Sequence, residues 1–155
     1  MGRVDDKLRA LGLVLPEPAA PAATYVPFVQ SGSLVFVSGQ IPTWNGERRF
    51  VGKVGQEYGI EEAKQAAHLV ALNLLAQVRA ACDGDLDRVR RCVRLGGFVN
   101  CTTDFNDHPL VVNAASELLL AVFGEAGRHA RAAVGAPSLP FGVAVEIDAI
   151  FEIEG

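Results

Sequence analysis

The sequence is poor in the features that mark several large protein classes. It has three cysteines, Cys82, Cys92 and Cys101, an odd number at gaps that fit no zinc pattern. The three histidines, His68, His108 and His129, are equally scattered. No metal site is expected, and the thiols read as buried or half-buried and free. There is no basic run: 14 Lys and Arg stand against 18 Asp and Glu, for a net charge of −4. Phosphate binding rests on Lys and Arg, so a nucleic-acid partner is unlikely on this balance. No apolar run approaches the ~18–20 residues that a membrane span needs. The first residues carry acids and only a short apolar piece, unlike a signal peptide, so the cytoplasm is the expected location. Internal repeats, low-complexity tracts and a second domain are also missing.

What is present is one globular domain's worth of chain. Of 155 residues, 50% are hydrophobic and 21% charged, enough for a sizeable core. Asp5 to Leu15 reads as a short helix stopped by Pro16, and residues 17–23 as a Pro/Ala-rich linker laid on the surface. Tyr25–Gln30 and Leu34–Ile41 read as a β-hairpin around Ser31-Gly32-Ser33. Thr43 to Gly59 reads as a loop with a short strand near Phe50–Val51. Glu61 to Cys82 is the clearest helix: Ala63, Ala67, Val70, Leu74, Val78 and Ala81 recur at three- and four-residue steps. Val89 to Cys101 is the next strand, where Gly96-Gly97 signals a bulge or a close approach. Asp107 as N-cap and Pro109 in the first turn open a second helix, which Gly124 ends after Phe123.

The last stretch organises the rest. His129–Gly135 and Gly142–Glu152 read as a closing hairpin around Pro137-Ser138-Leu139-Pro140. In the second run Val143, Val145, Ile147, Ala149 and Phe151 fall on one face, and Ala144, Glu146, Asp148, Ile150 and Glu152 on the other. Arg131 in the partner run and Glu146 are expected on the same side, where an acid and an arginine would bracket a small carboxylate. The plainer alternative is an ion pair on the sheet surface. Two helices cover one face of such a sheet, yet the strands are apolar on both. The uncovered face should therefore pack on another subunit, with Glu146 at the interface.

Pro27-Phe28-Val29-Gln30, Val37-Ser38-Gly39-Gln40-Ile41-Pro42, Asn113, Arg131-Ala132-Ala133-Val134, Leu139-Pro140 and Val145-Glu146-Ile147-Asp148 occur in the order seen in the RidA family. This family is also called YjgF or L-PSP, the reactive-intermediate (imine) deaminases, and the chain resembles it over roughly residues 24–153. The resemblance implies an α+β, chorismate-mutase-like fold: a mixed sheet of five to six strands with two helices on one face. It also implies a homotrimer with ligand clefts between subunits, and hydrolysis of 2-imino or enamine acids to 2-oxo acids and ammonia with no metal or organic cofactor. Residues 1–23 would be an extension and 24–155 the RidA-like domain.

Carried over by position, Arg131 would grip the substrate carboxylate with its planar fork and Glu146 would position or activate water. Phe28, Ser38, Gly39, Asn113 and Ala133 match cleft-lining positions. The chain departs from the family where Phe28 stands for a common Tyr and Ala133 for a common Cys. It departs again in its N-terminal extension and in an inserted residue between Asn106 and Asn113. Two other functions stay open at this point: a non-catalytic binder of small carboxylates or metabolites, and an endoribonuclease or translation inhibitor.

Overall fold

The computed structural model describes residues 2–21 and 23–155. Helix α1 (Arg3–Ala10) is followed by strands β1 (Phe28–Ser31) and β2 (Leu34–Gln40), then β3 (Thr43–Trp44) and β4 (Glu47–Arg48). Helix α2 (Ile60–Ala81), strand β5 (Val89–Asn100), helix α3 (His108–Phe123) and strands β6 (Ala130–Ala136) and β7 (Val145–Ile153) complete the chain. Five strands form one sheet in the order β1-β2-β7-β5-β6. Only the β5–β6 pair is parallel. Both long helices lie on one face. This is the expected α+β, chorismate-mutase-like arrangement.

The helical face of the sheet explains the core. Val145, Ile147, Ala149 and Phe151 of β7 are buried, as the alternation requires. They pack with Val35 and Val37 of β2, Leu95 and Val99 of β5, and the α2 stripe of Ala63, Ala67, Val70, Leu74 and Val78. Helix α2 starts at Gly59, whose N–H is accepted by the Glu62 carboxylate at 2.6 Å. Helix α3 begins after Asp107, although the Asp107 side chain makes no capping bond. Gly124, at φ 63°, ends it. Val4 and Leu8 of α1 join the same core.

Several expectations are corrected. The closing strands are not a hairpin: β5 lies between β6 and β7. The unit is β5–α3–β6, a parallel crossover bridged by a helix, which parallel neighbours require. The eight residues from 137 to 144 then carry the chain past the end of β5 to β7. Lys53 Nζ holds this crossing by donating to Asn100 Oδ1 at 2.6 Å and to the Pro137 carbonyl. Thr43 to Gly59 is not only loop, because β3 and β4 form a two-stranded ribbon around Asn45-Gly46. Both turn residues have positive φ, 50° and 87°, as a tight Asn-Gly hairpin demands. The Phe50–Val51 strand reduces to a bridge between Val51 and Val143. Helix α1 stops before Gly12, at φ 71°, and not at Pro16. By length and hydropathy His108–Gly127 reaches the threshold of a membrane span, contrary to the sequence reading. In the fold it packs on α2 and the sheet, as a core helix does.

The Gly96-Gly97 pair marks close approaches, not a bulge. The register of β5 slips instead between Val89 and Arg91 and between Cys92 and Arg94. A Cβ on Gly97 would stand 2.8 and 2.9 Å from the two Val112 methyls of α3. Gly97→Ala should therefore destabilise the fold by ~1–3 kcal/mol, the usual scale of overpacking. A lower denaturation midpoint at unchanged slope would show it. An unchanged midpoint would mean α3 is free to move outward.

Candidate active site

Arg131 sits on β6, the outermost strand. It pairs with Leu95, which pairs with Ala149, so its side chain is on the helical face. There Nη1 donates to Asn113 Oδ1 at 2.8 Å and to Ser116 Oγ at 3.2 Å, both on α3. His129 completes the network. Its Nδ1–H donates to the Gly127 carbonyl at 2.6 Å, which leaves Nε2 of the neutral ring to accept the Ser116 hydroxyl at 2.8 Å. Burial lowers the His129 pKa from its ordinary value; the Gly127 carbonyl opposes this and the Arg131 charge adds to it. Among the described residues Arg131 has no carboxylate partner, and Nη2 and Nε make no hydrogen bond. A guanidinium held by neutral groups with donors unused is suited to an anion.

Glu146 sits on β7 and pairs with Phe98, on the open face. It lines a cleft of about 520 Å³ with Gly39, Tyr25, Pro27 and Phe141. Gly39 lies in the register irregularity of β2 between Val37 and Gln40. A Cβ there would come 2.3 Å from Glu146 Oε2, so a larger residue would displace the carboxylate. Among the described residues the Glu146 carboxylate has no hydrogen-bond or ion-pair partner. Burial raises its pKa above the ordinary 4.5, and the Asp148 charge adds to the rise. Asp148 itself pairs with Arg94 at 3.5 Å.

The sign of this shift has a consequence for stability. An acid with a higher pKa folded than unfolded keeps its proton longer in the native state. Its contribution to stability is full below the unfolded value near 4.5 and is lost as pH rises through the raised folded value. Glu146→Gln removes a half-buried charge and keeps the shape. In a single chain, where no described cation faces Glu146, it should raise the melting temperature at pH 7–8, and the gain should vanish below about pH 4. A lower melting temperature at pH 7 would make Glu146 a structural partner.

The sequence-derived candidates thus fall into two groups. Arg131, Asn113 and Ala133 lie together on the helical side at the β6 edge, with Ala133 packed against the core. Glu146 and Gly39 lie together on the open face. Arg131 and Glu146 are not on neighbouring strands, and they are not on one face, contrary to the sequence reading. Ser38 Oγ donates to the Val26 carbonyl at 2.8 Å and ties down the entry to β1. Phe28, opposite Val37, packs against the core and not into the cleft. Tyr25 lines the cleft instead. Ser116 and His129 were not foreseen as Arg131 partners; the three-residue step from Asn113 to Ser116, one helix face, was the available signal. The thiols are free and buried as expected, and burial pushes Cys92 up to about 12. Among the described residues no cluster of His, Cys, Asp and Glu is arranged to hold a metal ion.

The chain matches the family described as "YjgF/chorismate mutase-like, putative endoribonuclease" over residues 5–152. It is 48% identical over 153 residues to Protein TCP17 of Trypanosoma cruzi, covering 98% of this chain and 95% of that one. A crystal structure from Shewanella oneidensis, titled a putative endoribonuclease, is 36% identical with a TM-score of 0.94, covering 98% of this chain and 100% of its own. RidA from an Antarctic Psychrobacter is 29% identical with a TM-score of 0.61, covering 88% of this chain and 94% of its own. The chain belongs to the YjgF/chorismate mutase-like family, of which the RidA proteins are members.

Proposed function

We propose that the protein hydrolyses 2-imino and enamine carboxylic acids to 2-oxo acids and ammonia, in clefts between the subunits of a homotrimer. One observation carries the reading: among the described residues, an arginine with no acid and an acid with no cation lie on opposite faces of one sheet. Within one chain they never meet. A second copy docked along the β6 edge and the open face would bring Arg131 of the partner subunit to Glu146. The open face suits such docking, since it exposes Val29, Phe36 and Val134 at 53%, 42% and 46%.

In that cleft the partner subunit's Arg131 grips the carboxylate in a two-pronged hydrogen bond. Glu146 holds a water against the imine carbon and takes its proton as the C–O bond forms. The same proton, returned to nitrogen, lets ammonia leave as the C–N bond breaks, and the hydroxyl gives its own proton to Glu146 as the C=O bond forms, from where it passes to the departing ammonia. The raised Glu146 pKa suits a group that must both accept and return a proton near neutrality. The free buried thiols suit a reducing compartment, and we place the protein in the cytoplasm.

A purely binding role was suggested by the missing hydroxyl of Phe28. That residue packs in the core, while Tyr25 brings a hydroxyl-bearing ring to the Glu146 cleft. Ribonuclease action fits less well, because the cleft offers an acid where phosphate would lie. Release of ammonia from freshly generated 2-aminoacrylate tests the proposal; melting shifts with 2-oxo acids but no turnover would favour the binder. Sedimentation equilibrium at micromolar concentration should give three times the 16.4 kDa chain mass. A stable monomer would remove the shared cleft.

A further inference from the structure

The N-terminal segment that precedes β1 could, on sequence alone, cover a cleft mouth or pack on a neighbour, and in the fold part of it lines a cleft. Its residues Ala20, Pro21 and Tyr25 line the Glu146 cleft together with Ile41 and Phe141. This lining is built in, because two side-chain amides hold it. Asn45 Oδ1 accepts the Glu17 N–H at 2.9 Å, and Gln77 Nε2 donates to the Ala19 carbonyl at 2.8 Å. Gln77, 1% exposed, is one of two buried amides of α2, with Asn73, and its Nε2 also donates to Gln40 Oε1 at 3.4 Å. A buried amide there is costly unless its partners are in place, so the anchoring of Ala19 explains why a polar residue occupies that position.

Another lining residue is also held in an uncommon state. Phe141 has φ 60° and ψ 12°, the left-handed region that bulky residues avoid. The Arg48 guanidinium lies 3.6 Å from its ring centroid and keeps the ring at the cleft rim. Strain of this kind at a cleft points to a positioned contact surface. The volume of about 520 Å³ lies in the ~300–1,000 Å³ range of small-molecule clefts, far more than a methyl group fills.

We infer that Ala19, Ala20, Pro21, Ala23, Tyr25 and Phe141 form a pocket selecting 2-imino acids with large apolar side chains, branched aliphatic or aromatic, beside Glu146. The inference rests on the deaminase reading for its reaction and on the cleft itself for its selectivity. The polar end of the ligand is an iminium or enamine nitrogen next to the carboxylate, and the apolar end lies against alanine, proline and aromatic surface. Each methylene that such a pocket accepts or refuses is worth ~10–200-fold in selectivity.

The test uses the full chain with imines freshly generated by an amino-acid oxidase from leucine and from alanine. Parallel calorimetry uses 4-methyl-2-oxopentanoate and pyruvate. The leucine-derived imine should be turned over at least ~10-fold more efficiently, and Ala20→Trp, which fills the pocket from an exposed position, should reduce that ratio at least ~10-fold. Turnover of both imines without preference, or a ratio that Ala20→Trp leaves alone, overturns the pocket and leaves the deaminase reading standing. No turnover, but tighter binding of the bulkier oxo acid that Ala20→Trp abolishes, overturns the deaminase and upholds the pocket. Neither turnover nor differential binding overturns both.

Discussion

Glu146→Gln should lower turnover of 2-imino acids by ~10²–10⁴-fold, the usual effect of removing a general acid–base group, and leave the assembly intact. The substitution keeps the shape and a hydrogen-bonding end but removes the group that takes a proton from water. No described residue depends on Glu146 for a hydrogen bond or ion pair, so nothing in the fold should loosen. The variant should be slower while its melting temperature and assembly are kept. That pairing of effects separates a functional acid from a structural one. A structural acid would lose stability and keep its specific activity.

Arg131→Lys should weaken binding of pyruvate or 2-oxobutanoate by ~1.5–3 kcal/mol, the scale of a charged hydrogen bond, or roughly ten- to a hundred-fold in affinity. The lysine keeps the charge and loses the planar fork. Asn113 and Ser116 would still have a donor to accept from, so folding and assembly should survive. Arg131→Ala should be worse for the ligand, since it removes the charge as well, and should still assemble. Calorimetric titration of the three proteins decides the matter. Equal binding by all three, or loss of assembly in Arg131→Lys alone, would make Arg131 a structural residue.

Local pattern carried much of this structure. The alternation of β7, the three- and four-residue steps of α2 and the Pro109 and Gly124 boundaries of α3 each state a physical requirement within one element, and each element is where those residues place it. Errors arose where the answer lies between elements. Arg131 was assigned to Glu146's face by treating β6 and β7 as a hairpin. Inserting β5 between them, with β6 parallel to it, turns Arg131 towards Leu95 and the helices. Nothing in Ala130–Ala136 itself reports which strand it will pair with. The ribbon around Asn45-Gly46 is a different case, because that dipeptide is a strong hairpin signal and was readable. The lining built by Ala19, Ala20, Pro21 and Tyr25 was readable only as a segment that could cover a cleft mouth or pack on a neighbour. Its anchor is Gln77, more than fifty residues away on another element.

Complementation between two inactive variants tests the shared site most directly. Glu146→Gln and Arg131→Ala chains would be unfolded together at equal amounts, refolded, and assayed for deamination beside each variant refolded alone. In a cyclic trimer each cleft takes Glu146 from one subunit and Arg131 from the next. Random mixing then restores both residues to about a quarter of the clefts, so the mixture should recover about a quarter of wild-type activity. A mixture no more active than its two parents would show that Arg131 and Glu146 do not act across a subunit boundary, and would contradict the account.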